Sequence, residues 1–269
     1  KYIIFIARRL WFWFWMKLMD GFAPSDKKGN YKRPKGFSYY KPLKINNNNE
    51  NKNLYLFVGL TCPWCHRLII LCTLLNLSNK IKIIFLKPNY KTGEWILKKN
   101  FYDCKNLKDI YFKCGQPKIF RPTVPVLITI TDLEMKFISN ESRDILKILN
   151  SKTFNISTER DLIKDCDEKL LDLINEDINN GVYKCGFARN QKTYIKASQK
   201  LFSALARIEK ILQDNRGPWL LGKEISVADI YLFPTIIRWE LIYSKLFKCT
   251  EKDIYFFRNI IMWRYKFFN

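Results

Sequence analysis

Two hydrophobic patterns follow one another along the 269-residue chain. In its first half, short apolar runs bounded by polar or turn-forming residues predict buried strands, at 54–58, 81–86, 126–131 and 136–139. Longer amphipathic stretches predict helices in the same half, at 62–77 and 141–149. From Ser157 onward the spacing is helical throughout and predicts four main helices, at 157–180, 190–214, 226–243 and 251–268. The chain therefore changes from mixed to all-helical structure near its middle.

The order of these elements predicts the architecture. A strand, a helix and a strand, followed by a hairpin across Asp132-Leu133 and a last helix, make the minimal thioredoxin-like plan. We therefore expect an α/β thioredoxin-like domain over 54–152 and an all-α helical domain over 153–269. Residues 1–53 are predicted to be an extension or linker, because they contain turn-forming dipeptides and a polar asparagine run. The pattern over 87–121 is irregular, and predicts at most short helices.

The first residues of the chain are apolar and rich in tryptophan. Tyr2 to Ala7 and Leu10 to Met16 are apolar runs separated by Arg8-Arg9. Neither run reaches the ~18 residues that a membrane span requires. One interpretation is an amphipathic segment that lies in a membrane interface. The interpretation that we favour is that these aromatic residues cover a hydrophobic part of the folded protein.

Charge and cysteine content narrow the function classes. The chain carries 47 basic and 25 acidic residues, a formal net charge of +22, which attracts anions such as nucleic acid, anionic membranes or small anionic substrates. The lysines are scattered and no nucleic-acid-binding consensus accompanies them, so no nucleic-acid partner is expected. One CxxC motif and one histidine are poor material for a zinc site, so no metal is expected. The core-rich chain needs no disulfide framework, which favours a reducing compartment such as the cytoplasm.

The chemistry centres on the Cys62-Pro63-Trp64-Cys65 turn. Cys62 follows a predicted strand and opens a helix, where unpaired N–H groups and the helix dipole favour an anion and lower the pKa of a thiol. Cys65 lies one helical turn further on, so it can approach Cys62 and resolve a mixed disulfide. His66 can stabilise the thiolate or point away on the helix surface, and we favour the second interpretation. The other six cysteines are taken as structural.

Two further segments suit a thiol peptide as substrate. Val124 precedes Pro125 at the start of a strand, and in a thioredoxin-like domain this proline sits against the active-site turn. The backbone of Val124 can then pair with a peptide as an added strand would. Glu141 and Ser142 begin a helix, where they can hold an ammonium and a carboxylate. Together they suit the zwitterionic γ-glutamyl end of glutathione.

The chain resembles the glutathionyl-hydroquinone reductases, the Xi class of glutathione transferases, related to the omega class. The resemblance runs from about Leu54 onward, and four motifs carry it most clearly, at 62–67, 123–126, 139–142 and 179–188. The 179–188 motif is the most diagnostic, because most other glutathione transferases lack it. Residues 31–34 are similar to cyanobacterial and plastid members. The resemblance implies a glutathione-transferase-type helical domain and a homodimer.

The resemblance also implies a mechanism. Cys62 would attack the sulfur of a glutathionyl-hydroquinone, and a second glutathione, the co-substrate, would release Cys62 from the mixed disulfide. Tyr183 matches a tyrosine that faces the aromatic substrate and can hydrogen-bond its phenol oxygen. The residues that match glutathione-binding positions of the family are Trp95, Arg121, Val124, Glu141 and Ser142. The enzyme is expected in the cytoplasm, or in the plastid stroma of a eukaryote.

Two alternatives stay open at this stage. The family usually has alanine where this chain has Cys65, which admits a glutaredoxin-like or dehydroascorbate-type thiol oxidoreductase that uses both cysteines. A non-enzymatic protein of this fold could instead bind a membrane or another macromolecule through its basic, aromatic surface. Contact of the N-terminal aromatic segment with a membrane is therefore a minor alternative to the enzymatic interpretation.

Overall fold

The computed structural model of the chain describes residues 2–37, 53–117, 121–131, 134–150, 162 and 167–268. Its contacts divide the chain into two compact units. The sheet unit is Lys35–Asp165, and the helical unit combines Lys1–Pro34 with Cys166–Asn269. The predicted fold class, with an α/β part and a helical part, is confirmed, and the predicted domain boundaries stay predictions. The segment predicted as a linker, residues 1–53, is divided between the units, and residues 38–52 lie outside the described part of the chain.

The sheet unit is built on one mixed sheet of six strands in the order β4-β3-β2-β1-β5-β6. The strands are β1 Asn53–Gly59, β2 Ile81–Pro88, β3 Trp95–Phe101, β4 Cys104–Asn106, β5 Val126–Thr131 and β6 Glu134–Ser139. Only the β1–β2 pair is parallel among these, and Leu56 at its centre pairs with Ile83 on one side and Leu127 on the other. Central β1 is buried from Leu54 to Gly59, as a continuous apolar run predicts.

Three helices of this unit complete its core, and they are α2 Pro63–Leu74, α3 Leu107–Lys113 and α4 Ser142–Leu149. Tyr55 and Phe57, on one face of β1, belong to a buried cluster with Ile110 and Tyr111 of α3. Helices α2 and α4 pack against each other. Because side chains alternate along a strand, β1 supplies apolar side chains to both faces of the sheet.

The short helix predicted within residues 87–121 is confirmed as α3, but the strands β3 and β4, which this stretch adds to the minimal plan, were missed. Strand β3 pairs with β2, and β4 extends the sheet by one further strand. The three exposed polar residues Lys98, Lys99 and Asn100 in the middle of β3 interrupt any alternating pattern. The four predicted strands are confirmed with ends shifted by up to two residues, and the hairpin residues Asp132-Leu133 lie outside the described part.

The helical unit contains α1 Tyr2–Phe22, α5 Glu168–Asp172, α6 Asn180–Gly186, α7 Gln191–Asp214, α8 Val227–Ile236 and α9 Arg258–Tyr265. Two wider π-helical turns, Leu173–Asn179 and Trp239–Tyr243, interrupt the helices predicted at 157–180 and 226–243. The first predicted helix is described only from Glu168 onward, and Cys166 lies outside the described residues. Asp229 is fully buried at the start of α8, where Ser226, Leu220 and Trp263 donate hydrogen bonds to its carboxylate.

The favoured interpretation of the N-terminal aromatics was wrong. Residues Tyr2–Phe22 form a single helix whose large apolar side chains are mostly exposed, for example Trp11 at 68% and Trp13 at 61%. The helix is fastened near its end, where Arg189 donates hydrogen bonds to Asp20 and to the carbonyl oxygen of Ala23. No helix in the described part of the chain is long and apolar enough to cross a membrane.

Candidate active site

The thiol of Cys62 lies at the start of α2. Cys62 is the N-cap residue with extended backbone angles (φ −83°, ψ 120°), and Pro63 occupies the first helical turn, where its missing N–H removes no hydrogen bond. The N–H of Cys62 donates to the carbonyl oxygen of Gly59 at 3.1 Å, which closes the turn between β1 and α2. Cys62 is half-buried. The partial positive charge of the helix N-terminus therefore acts on a thiol that solvent and substrate can reach.

The turn before β5 faces this thiol. The Val124–Pro125 peptide bond is cis, and the Cys62 thiol donates a hydrogen bond to the carbonyl oxygen of Val124, with 3.6 Å between sulfur and oxygen. The structure thus brings together two residues that the sequence singled out independently. A backbone carbonyl and a nucleophilic sulfur side by side suit a ligand that pairs with the Val124 backbone while presenting its own sulfur to Cys62.

Cys65 has a different environment one turn along α2. Its side chain is fully buried, and the N–H of Gly59 donates to its sulfur at 3.4 Å. The neighbouring Trp95, at the start of β3, places its indole ring against Gly59, so that a side-chain carbon at this glycine would lie 2.4 Å from the ring. Trp95 therefore lies beside the β1–α2 turn, as its predicted place in the glutathione site requires, whereas Cys65 lies beneath the turn.

Asn140 connects the cis-proline turn to the start of α4. Its side-chain amide donates to the Tyr111 hydroxyl at 3.0 Å and to Thr123 Oγ1 at 3.3 Å, while the Tyr111 hydroxyl donates to the carbonyl oxygen of Thr123 at 2.8 Å. The N–H of Phe37 donates to the side-chain oxygen of Asn140 at 2.5 Å. Burial raises the pKa of Tyr111, which keeps its hydroxyl protonated as a donor. Sequence reasoning missed Tyr111 and Phe37, because only the fold brings them to Asn140.

The start of α4 presents a carboxylate and a buried hydroxyl. Glu141 is the N-cap residue, and its N–H donates to Ser139 Oγ at 3.0 Å. Ser142 is 2% exposed, and its Oγ has no hydrogen-bond partner among the described residues. A buried hydroxyl without a protein partner costs stability unless a ligand or water satisfies it. The arrangement fits the predicted role of Glu141 and Ser142 in holding a charged peptide end.

Arg121 and Tyr183 are the remaining predicted site residues. Arg121 is exposed, three residues before Val124. Tyr183 lies in α6 of the helical unit, half-buried in an aromatic cluster whose other members are Tyr31, Phe187, Tyr243 and Phe247. The ring centres of Tyr183 and Phe247 are 5.2 Å apart. Such a cluster offers flat apolar surface and tyrosine hydroxyls, which suits an aromatic ligand with a polar substituent. Within the described residues, no three metal-binding side chains lie together.

Comparison with known proteins agrees with this arrangement. The N-terminal domain of glutathione S-transferases matches residues 61–152, and their C-terminal domain matches residues 187–260. The glutathionyl-hydroquinone reductase YqjG of Escherichia coli is 31% identical over 224 residues, which are 78% of this chain and 67% of that protein. The chain belongs to the glutathionyl-hydroquinone reductases, the Xi class of glutathione transferases.

Two further relatives of the reductase family support the assignment. The glutathionyl-hydroquinone reductase PcpF of Sphingobium chlorophenolicum is 30% identical over 78% of this chain and 70% of its own. The Xi transferase of Phanerochaete chrysosporium shares the fold with a TM-score of 0.76 at 28% identity, over 87% of this chain and 84% of the other. A glutathione-bound structure of YqjG has a TM-score of 0.70 at 30% identity, over 82% and 74% of the two chains. The predicted family and fold class are confirmed, and the roles of the individual site residues stay predictions.

Proposed function

We propose that the protein removes glutathione from glutathionyl-hydroquinones through a mixed disulfide between Cys62 and glutathione. The observation that carries the proposal is the half-buried Cys62 thiol at the start of α2, in contact with the Val124 carbonyl oxygen. This placement is expected for a nucleophilic thiol that reacts with a peptide bound to the neighbouring backbone. The family assignment supports glutathione as that peptide.

The reaction has two steps. In the first, the Cys62 thiolate attacks the glutathione sulfur of the conjugate, an S–S bond forms, the bond between sulfur and the ring carbon breaks, and the ring carbon takes up a proton as hydroquinone leaves. In the second, the thiolate of a free glutathione attacks the same glutathione sulfur of the mixed disulfide, which releases oxidised glutathione and restores the Cys62 thiolate. The aromatic ring is reduced, and two glutathione units leave joined as a disulfide.

The proposal gives each of the remaining site residues a binding role, which the geometry of the sheet unit or the resemblance to the family supports. The Val124 backbone pairs with the cysteinyl part of glutathione and holds its sulfur near Cys62. The Glu141 carboxylate receives the γ-glutamyl ammonium, and the Ser142 hydroxyl with the first N–H groups of α4 receives its carboxylate. Trp95 and Arg121 complete the glutathione site, and the Tyr183 hydroxyl donates to the phenol oxygen of the departing ring.

Mass spectrometry of the protein after exposure to glutathionyl-menadiol, the hydroquinone form of the menadione conjugate, tests the proposal. We expect a glutathione adduct on Cys62 in the unchanged protein and in the Cys65→Ala variant, and no adduct in Cys62→Ser. An internal Cys62–Cys65 disulfide as the main product would instead favour the dithiol oxidoreductase. The buried position of Cys65, whose sulfur accepts the Gly59 N–H, favours the first outcome. A Cys62 that carries neither a glutathione adduct nor a disulfide to Cys65 would contradict both thiol mechanisms.

The setting of the enzyme is part of the proposal. The second step consumes reduced glutathione, so we place the protein in a reducing compartment, the cytoplasm or a plastid stroma. We also propose a homodimer, by analogy with the family. Light scattering coupled to size-exclusion chromatography measures the mass directly, and a mass near twice the 32.3 kDa of the chain is expected. A monomer at micromolar concentration would contradict this part of the proposal and leave the chemistry unaffected.

A further inference from the structure

We propose that α1, Tyr2–Phe22, binds the surface of an anionic lipid bilayer and lies in its interface. The inference rests on the shape and charge of this helix and is independent of the proposed reaction. The helix extends about 30 Å at 1.5 Å per residue. Its large apolar side chains are exposed over most of this length, which in a soluble domain marks an interaction surface.

One face of α1 carries an apolar stripe, defined as Ile4, Trp11, Phe14 and Leu18. The intervals of seven, three and four residues place these four side chains on one side of the helix. Their exposed fractions are 66%, 68%, 58% and 43% in chain order. The stripe is therefore a continuous apolar surface in contact with solvent.

Near its C-terminal end, α1 is attached to the helical unit on the side opposite the stripe, whereas Phe5, Phe12 and Trp13 further toward its start are 58%, 63% and 61% exposed. Arg189 donates hydrogen bonds to Met16 Sδ at 3.2 Å and to Asp20 at 3.0 Å. At 100° per residue, Met16 and Asp20 lie more than about 130° around the helix from the centre of the apolar stripe. The attachment to Arg189 therefore turns the stripe outward, away from the helical unit.

The charges of α1 determine which partner fits the stripe. Arg8 and Lys17 are exposed and lie on its two sides, about 75° and 105° from its centre. Tryptophan at the stripe and basic groups along both of its edges are the pattern of helices that lie in an anionic interface, because the rings enter the headgroup region while the basic groups reach the phosphates. The net charge of +22 adds long-range attraction to the same surface. A second copy of the chain would bring the same positive charges and is disfavoured.

Vesicle co-sedimentation of the full 269-residue chain tests this inference. One probe is vesicles of phosphatidylcholine alone. The other is vesicles that also contain about 30% phosphatidylserine, which is roughly a physiological anionic content. We expect binding to the anionic vesicles that weakens with added salt and is much lower on neutral vesicles. Trp11→Gln/Phe14→Gln/Leu18→Gln removes three side chains from the stripe and should lower the partition coefficient by about 100-fold or more.

Two matched variants separate local from general effects. Leu241→Gln/Leu246→Gln/Met262→Gln removes three apolar side chains of at least similar exposed fraction elsewhere in the helical unit and should leave binding unchanged. Arg8→Gln/Lys17→Gln should lower the partition coefficient on anionic vesicles about 30-fold, whereas Lys98→Gln/Lys99→Gln should change it by less than about 3-fold. Circular dichroism and thermal melting confirm that each variant is folded.

Three outcomes would overturn the inference. The first is failure of the unchanged protein to sediment with anionic vesicles at low salt. The second is equal binding by the stripe variant and its matched control, which would assign the membrane contact to general surface charge. The third is a stripe variant that alters the mass in solution without altering vesicle binding, which would show that the stripe contacts another copy of the chain. None of these outcomes bears on the Cys62 adduct, so failure here is distinguishable from failure of the proposed reaction.

Discussion

The two ends of α2 hold the same functional group in opposite environments. Cys62 is half-buried at the first turn, beside the Val124 carbonyl oxygen. Cys72, in the last part of the same helix, is 4% exposed, and burial raises the pKa of its thiol to about 12. The helix dipole favours an anion at the first end and opposes it at the second. Position along one helix, more than residue type, therefore decides which cysteine can act as a nucleophile.

The largest expected effect is on catalysis, when Cys62 at the reactive end of α2 is replaced. Replacement of Cys62 by serine should lower kcat/KM for hydroquinone release by about 10³-fold or more, because the hydroxyl has no comparable anion to attack sulfur. Replacement of Cys65 by alanine should change the rate by less than about 3-fold, since its sulfur is buried under the turn. Steady-state assays of menadiol release from glutathionyl-menadiol, a hydroquinone conjugate, measure both. A Cys62→Ser variant of nearly full rate would contradict the assignment of the nucleophile.

The buried end of α2 gives a prediction about alkaline stability. Because folding raises the pKa of Cys72 above that of an unfolded cysteine, its contribution is complete below about pH 8.5 and is lost as the pH rises through about 12. The contribution of Cys72 to the free energy of unfolding should fall by up to about 1.4 kcal/mol per pH unit in this window, and by roughly 4 kcal/mol at its upper end. Urea unfolding of the unchanged protein at pH 8 and pH 10 measures the slope.

Two variants identify the group responsible. Cys72→Ala should make the slope between these pH values shallower, because it removes the titrating thiol. Leu71→Ala, at a fully buried neighbour, should lower stability by about 2–5 kcal/mol at both pH values and leave the slope unchanged. Equal slopes in the unchanged protein and in Cys72→Ala would assign the alkaline loss to other groups.

The smallest expected effect is at Ser142, where replacement should change glutathione binding but not the stability of the fold. Ser142→Ala should raise KM for glutathione by about 10-fold, because a hydrogen bond to a charged carboxylate contributes about 1.5–3 kcal/mol. Its unfolding free energy should stay within about 0.5 kcal/mol, since the Ser142 hydroxyl has no partner in the described protein to lose. Glutathione titration and urea unfolding of the same sample measure both.

Ser226→Ala is the matched control for this measurement. The Ser226 hydroxyl donates to the buried Asp229 carboxylate at 2.7 Å, so its removal should lower stability by about 1–3 kcal/mol. KM for glutathione should not change in this variant. If Ser142→Ala instead lost stability and kept its KM, the hydroxyl would belong to the protein core and not to the glutathione site.

The sequence predicted those features that depend on neighbours along the chain. Leu54 to Val58 predicted the central strand because all five side chains are buried, and the Cys62-Pro63 pair predicted where α2 begins. Strand β3 was missed because it is partly exposed and carries Lys98, Lys99 and Asn100, so its stability comes from pairing with β2 and not from its own pattern. Pattern analysis is therefore most reliable for elements that are buried on both faces.

The residues of the candidate site also differ in how far the sequence alone could indicate them. Cys62, Val124, Glu141 and Ser142 could be proposed as site residues from the sequence because each stands at the junction of a predicted strand, turn or helix. Tyr111 was not found, since its hydrogen bonds to Asn140 and Thr123 join positions 29 and 12 residues away and exist only once the sheet has formed. The exposure of α1 was also missed, because the hydrophobic pattern of a segment does not show whether it is buried in a protein core or contacts a lipid surface.

The contact between Gly59 and Trp95 fixes an order in which this site could change during evolution. A side-chain carbon at position 59 would overlap the indole, and Trp95 packs against the core cluster of the sheet unit, so the ring has little room to move. Replacement of the tryptophan by a smaller residue must therefore precede any replacement of the glycine. The reverse order passes through an intermediate in which the turn before Cys62 is displaced. A lineage that alters this corner of the enzyme thus has one accessible path and not two.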